Sequence, residues 1–296
     1  MSEGSYLDRY CAGEYEQVWD DLLALGPMVF DAPLYDDAAA VVGETMRRVR
    51  FNIEHLISRL KDMGYIFGYD HRVQQLLLNP GQDRTWRDYL ELREWASHQP
   101  PVFLPGPFHD EVRSEIRALG LGSVEDDVLY GIDAIPDQKG NIQRLDQNIG
   151  PIPLSIRGWY EHVGAVNLYG HYAGWLNYVH SPNYLMEQCD PLQAAVLDSA
   201  LVDKFTQDQQ LWPVRQFEFA PDTYFKDRRS GGSTPYTISW NEAGIDGRLL
   251  SWPDPQMTFV KYLRLSFQWA GFPGMADWAE VPEDDLAMLK QGLLLF

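Results

Sequence analysis

Residues 217–240 read FEFAPDTYFKDRRSGGSTPYTISW. Two apolar runs, FEF and PYTISW, flank a charged connection that carries Gly231 and Gly232. A phosphate-binding turn normally leads from a strand into the amino end of a helix, where free backbone N–H groups converge on an anion. Here the β-branched and aromatic residues of PYTISW follow the glycines, so a second strand is expected instead. Gly231 and Gly232 then supply the positive φ of a long hairpin connection. Lys226, Arg228 and Arg229 keep one alternative open: an enzyme holding a phosphorylated or nucleotide ligand on the 226–232 loop.

Outward from this pair the pattern is mixed. AVNLYG (165–170), GWLNYVH (174–180) and RLLSW (248–252) read as further short strands. Helices are expected at NIQRLDQNIG (141–150), at TFVKYLRLSFQWAG (258–271) and at EDDLAMLKQGLL (283–294), the last with acids in its first turn to match the helix dipole. The first half is mainly helical in pattern. EYEQVWDDLLAL (14–25) stops at Gly26-Pro27, and a long helix runs from about Asp36 to Met63 and stops at Gly64. Shorter helices are expected at 85–98 and 110–120, separated by QPPVFLPGPF (99–108), whose four prolines make an extended loop. The fold class is therefore α+β: a helical amino-terminal half on or beside a small, mainly antiparallel sheet flanked by helices. The expected division is a helical region 1–139 and an α+β domain 140–296, possible also as one continuous domain.

Charge is the strongest global signal. Forty-three acids against 24 bases give a net charge of -19 over 296 residues. Residues 1–40 hold nine acids and Arg9 alone, and residues 277–285 add five acids and no base. Such a field repels nucleic acid and anionic membrane and favours a basic protein partner. The candidate partner-binding residues are Asp20, Asp21, Asp36, Asp37, Asp277, Glu280, Glu283, Asp284 and Asp285. No apolar run approaches the length of a membrane span, the first residues lack the pattern of a secretory signal, and Cys11 and Cys189 stand in no metal-ligand spacing. A cytoplasmic protein with reduced thiols, without cofactor or metal, is expected.

Catalytic motifs with a recognisable grammar are missing: no G-x-S-x-G elbow, no Walker loop and no H-E-x-x-H. His162, His171 and His180 are spaced by nine residues, which is no helical ligand spacing, so turn or surface positions are expected for them. Most of the tryptophans and tyrosines of the second half read as core packing, with a subset available to a protein-binding face.

The order of features in NIQRLDQNIGPIPLSIRGWYEHVGAVNL (141–168) resembles the start of the SUKH superfamily, a group of bacterial immunity proteins and related intracellular adaptors. Ile152-Pro153-Leu154 corresponds to the family's turn, Trp159 and Tyr160 to the aromatic positions of a short helix, and Gly164 to the glycine that leads into the first strand. FEFAPD, SGG and PYTISW resemble its next strand pair, with a longer insertion, and TFVKYLRLSF sits where its carboxy-terminal helix lies. Ala165 stands where a second glycine is common, and residues 181–213 form a long stretch between strands. The likeness covers about residues 140–270 and leaves the amino-terminal half unexplained. It implies a non-enzymatic protein that binds and neutralises a toxin, often a nuclease. A scaffold component of a larger bacterial assembly is the remaining alternative.

Overall fold

A computed structural model describes residues 4–67, 129–130, 138–172, 174–175, 178, 189–194, 197, 199–211, 216–220, 235–239, 243–250 and 254–296. The helices expected at 85–98 and 110–120, and the proline-rich stretch between them, lie outside the described residues. Within them the chain is α+β, helical over most of 4–67 and mixed thereafter.

Helices α1 (Tyr6–Cys11), α2 (Tyr15–Ala24) and α3 (Leu34–Asp62) come first, with a 3-10 turn at Gly26–Phe30 between the second and third. The 29-residue α3 carries Asp36 and Asp37 in its first turn and Arg59 and Lys61 in its last, both favourable to its dipole. Helix α1 begins with a reciprocal cap between Ser5 and Asp8. The side chain of Asp37 in α3 accepts the orphan amides of Tyr6 (2.6 Å) and Leu7 (3.1 Å), which ties α1 to α3. Beneath them Trp19 Nε1 donates to Thr45 Oγ1 and Thr45 donates to the Tyr10 hydroxyl, so three helices share one buried polar chain.

After β1 (Ile66–Phe67) and β2 (Leu129–Tyr130) follow α4 (Gln138–Ile149), α5 (Leu154–His162), β3 (Ala165–Asn167), β4 (Gly170–His171), β5 (Gln193–Ala194) and α6 (Ser199–Leu211). Then come β6 (Gln216–Ala220), β7 (Tyr236–Ser239), β8 (Arg248–Leu249), α7 (Phe259–Gln268), a 3-10 turn at Pro273–Asp277, and α8 (Glu283–Lys290). The strands form three small antiparallel sheets, β1–β4, β2–β3–β5 and β6–β7–β8. Phe217 pairs with Ile238 and Gln216 with Ser239, so FEF and PYTISW are hairpin partners, with a bulge between Glu218 and Ala220.

One expected strand lies elsewhere, and a further helix is added. Gly174 and Trp175 of GWLNYVH lie in a 3-10 turn, and the preceding strand, Gly170–His171, ends three residues before Gly174. Trp175 is fully buried there against Tyr65 and Phe272, so its apolar character serves the core and not a pleated face. Within the 181–213 stretch, Ser199–Leu211 is helical. Val202 and Phe205, one turn apart, bury against α4 and β6, and Phe205 meets Phe217 with ring centres 4.4 Å apart.

One hydrophobic cluster runs from Tyr10 and Trp19 through α3 to Trp159, Phe219, Tyr262 and Phe296. Trp159 and Phe219 both pack edge-on against Phe259, which anchors α7 to α5 and to the hairpin. Asp246 fixes the same corner. It accepts from Ser155 Oγ (2.6 Å), Gly247 N (2.9 Å) and Val260 N (3.0 Å), joining the first turns of α5 and α7. The largest interhelical contact is α3 on α5, and it depends on Gly158. A Cβ at Gly158 would lie 2.3 Å from Val42 Cγ1, so the helices approach at a distance that only glycine permits.

Gly158→Ala is expected to lower stability by about 1–3 kcal/mol through overpacking, despite alanine's better helix propensity. In urea unfolding, combining it with Val42→Ala should cost less than the sum of the two single changes. Strict additivity would mean that the two positions do not meet.

Candidate functional site

The α3 surface carries Arg48, Asn52, His55 and Arg59 at spacings of four, three and four, which places them in one stripe along the helix. All four reach the backbone of one later segment. Arg48 Nη1 donates to the carbonyl of Leu295 (3.0 Å), and His55 Nε2 to that of Gln291 (3.1 Å). Arg59 donates to the carbonyl of Met288 at the end of α8. Asn52, itself buried, makes the paired contact of a strand partner: its amide donates to Leu294 O (2.9 Å) and its carbonyl accepts from Leu294 N (2.7 Å). From the other side Arg264 of α7 donates Nε to Phe296 O (2.7 Å) and Nη2 to Tyr15 O (3.2 Å). Burial lowers the Arg264 pKa, a cost offset by these carbonyls and by neighbouring Tyr10 and Glu16.

The segment is thus gripped by its backbone. Phe296 is buried edge-on against Phe267, while Leu294 and Leu295 remain 41% and 75% exposed. Six large apolar side chains are exposed among the described residues, and four of them, Phe51, Met288, Leu294 and Leu295, belong to this seam. Phe51 stacks on His55 with ring centres 5.7 Å apart. Leu294 and Leu295 also line an open pocket of 790 Å³ between α2, α7 and α8, together with Glu16, Asp20, Lys261 and Lys290.

The nine acidic candidates divide into two groups. Asp21 pairs with Arg9 (2.9 Å) and accepts from Gln17, Asp37 caps α1, and Asp285 accepts the indole N–H of Trp175 (3.0 Å). Those three hold the structure together. Asp20, Asp36, Asp277, Glu280, Glu283 and Asp284 are exposed and form no ion pair among the described residues. Asp20 is in the pocket beside two lysines, and Glu283 and Asp284 form the first turn of α8, with Asp284 one turn before Met288. The structure therefore brings α2 and α8 acids to the neighbourhood of the apolar seam. Lys226, Arg228, Arg229, Gly231 and Gly232 lie outside the described residues.

Of the three spaced histidines, His162 ends α5 with its ring against Gly43 of α3, where burial and the charge of Arg47 lower its pKa. His171 is in β4, and His180 lies outside the described residues. Among the described residues no three His, Cys, Asp or Glu side chains gather as a metal site, and no helix is long and apolar enough to cross a membrane. Composition alone identified the acids. The exposed leucines escaped it because the expected helix runs over 283–294, whereas α8 stops at Lys290 and leaves Leu293, Leu294 and Leu295 beyond its end. No family model, no curated protein and no solved structure matches this chain.

Asn52→Ala is expected to speed amide exchange at Leu294 about tenfold or more, since it removes both bonds to that residue, and to lower global stability by about 1–3 kcal/mol. Unchanged exchange at Leu294 would mean that Asn52 does not hold the segment. Burial raises the Asp285 pKa, partly countered by the Trp175 hydrogen bond, with Asp284 adding to the rise. A carboxyl raised on folding contributes stability below its unfolded pKa and loses it as pH climbs through its folded pKa. Asp285→Asn, which keeps an acceptor for Trp175, should therefore flatten the fall in Tm as pH rises from about 4. Asp285→Ala should lower Tm at every pH.

Proposed function

We propose that this chain is a non-catalytic protein-binding protein that neutralises a basic protein partner in the cytoplasm, in the manner of a bacterial immunity protein covering a toxin such as a nuclease. One observation carries the reading: six carboxylates, Asp20, Asp36, Asp277, Glu280, Glu283 and Asp284, stand exposed and outside any ion pair among the described residues, on a chain of net charge -19. They remain hydrated in the free chain, and a complementary basic surface would meet them with fast, salt-sensitive association. The resemblance of residues 140–270 to the SUKH superfamily supports the same role, because its members are generally non-enzymatic and many of them neutralise toxins.

A tagged chain retained on beads, exposed to native cell extract and washed with rising salt, tests this. The expected result is one dominant basic protein that elutes with salt and whose toxicity the chain suppresses. Glu283→Lys with Asp284→Lys should slow its association about tenfold at low ionic strength and less at high. Retention that ignores salt and both reversals, or a specific rise in Tm with nucleotides or phosphorylated metabolites, would contradict the proposal in favour of a ligand-binding enzyme.

A further inference from the structure

We infer that residues 293–296 are a releasable strap in a groove between α3 and α7 that reads peptide main chain, and that the groove accepts in its place an extended, uncharged partner segment with an aromatic residue at the end of its register. The groove goes beyond the protein-binding reading above and does not depend on it, because its hydrogen bonds involve none of the six exposed carboxylates.

The strap is the template for that ligand. Its hydrogen bonds to the two helices use main-chain atoms: Leu294 N and O at Asn52, Leu295 O at Arg48 and Phe296 O at Arg264. Leu294 and Leu295 keep their side chains exposed, Leu293 is half-buried, and Phe296 is buried edge-on against Phe267. Recognition through main chain with one side-chain socket leaves the other positions free to vary, as in strand addition to a sheet edge. The register follows: one residue on Asn52, the next carbonyl on Arg48, then an aromatic residue whose carbonyl meets Arg264.

The groove is built independently of the strap. Arg48 is held by Glu44 (2.8 Å) and by the face of Tyr15 (4.9 Å), and Arg264 by the carbonyl of Tyr15 (3.2 Å). Donors fixed in advance lower the ordering cost for an entering segment. Emptying the groove would strip the buried Asn52 of both hydrogen bonds, and a second main chain restores them. Release is also local. Gly292, at φ +80°, is the joint between α8 and the strap, while Leu286 and Leu289 keep α8 seated. A second copy would carry the same segment, but a net charge of -19 on each copy opposes close association. Capture of a basic partner beside α8 uses the strap closed, so the two bound states exclude one another.

The test uses the full chain and a fluorescein-labelled pentapeptide of sequence GLLLF, read by anisotropy. Leu294→Pro removes the N–H that Asn52 accepts, loosens the strap, and should raise apparent affinity for the peptide about tenfold over the unchanged chain, since affinity scales with the open fraction. Phe296→Ala loosens the strap by a different route and should give the same gain. Adding Asn52→Ala to Leu294→Pro should abolish it. Peptide GLSSF should bind as GLLLF does, and GLLLS at least about tenfold more weakly. No gain in either loosened variant, a gain that survives Asn52→Ala, or equal losses for GLSSF and GLLLS would each overturn the groove. A concentration-dependent dimer of the unchanged chain that GLLLF dissociates would overturn the partner segment and make a second copy the occupant. Salt-sensitive capture of a basic protein from extract is a separate readout that none of these results decides.

Discussion

The close approach of α3 and α5 at Gly158 and Val42 is the constraint on which the remaining arrangement depends. It brings the long amino-terminal helix onto the helix that enters the sheet region, and a single hydrophobic cluster then extends through both. With α3 fixed on one side by α5 and on another by α1, its polar stripe faces the segment after α8. Asn52 and Leu294 are 242 residues apart in sequence, yet they exchange two hydrogen bonds as neighbouring strands do. A helix side chain here takes the place of a sheet edge, and the segment stays extended without a strand to pair with.

Around this frame, polar groups do two kinds of work. Thr45, Asp37, Asp246 and Asp285 are inward hubs that satisfy amides, indoles and hydroxyls at element junctions. Burial penalises the charged form of Asp246 and raises its pKa, and hydrogen bonds from Ser155, Val260, Thr258 and Gly247 offset part of that penalty. The exposed carboxylates of α2 and α8 make no such contacts. Separating the two classes changes what the acidic composition means: a third of the acids singled out for partner binding are caps or internal partners, and of the others Asp20 shares a pocket with the exposed leucines.

Much of the fold was legible because local signals and burial agree. The 3.6-residue spacing in α3 and α7, the Gly-Pro after α2, and the alternation in FEF and PYTISW each lead to the observed element. Helix α1 also carried its signal, since Ser5 and Asp8 have the spacing of a capping box, but only six residues follow and periodicity cannot declare itself over that length. Helix α6 was hidden between weak strand patterns, although Val202 and Phe205 mark its inner face. GWLNYVH misled at Trp175, because an aromatic side chain suits a buried turn as well as a strand. The candidate surface was half legible. Net charge and acidic runs are properties of the sequence, but whether Asp37 caps a helix or faces solvent depends on where α1 packs. Likewise, the exposure of Leu294 and Leu295 depends on contacts made by residues more than 200 positions earlier.

The proposed recognition surface comprises the exposed acids of α2 and α8 and the backbone-held segment that follows α8. Amide hydrogen exchange, compared between the free chain and its complex with the captured protein, tests this most directly. Protection gained over 283–295 and the exposed face of α2, with little change in α4 and α6, is the predicted footprint. Protection confined to the hairpin β6–β7 or to α4 and α6, with 283–295 exchanging as in the free chain, would contradict it.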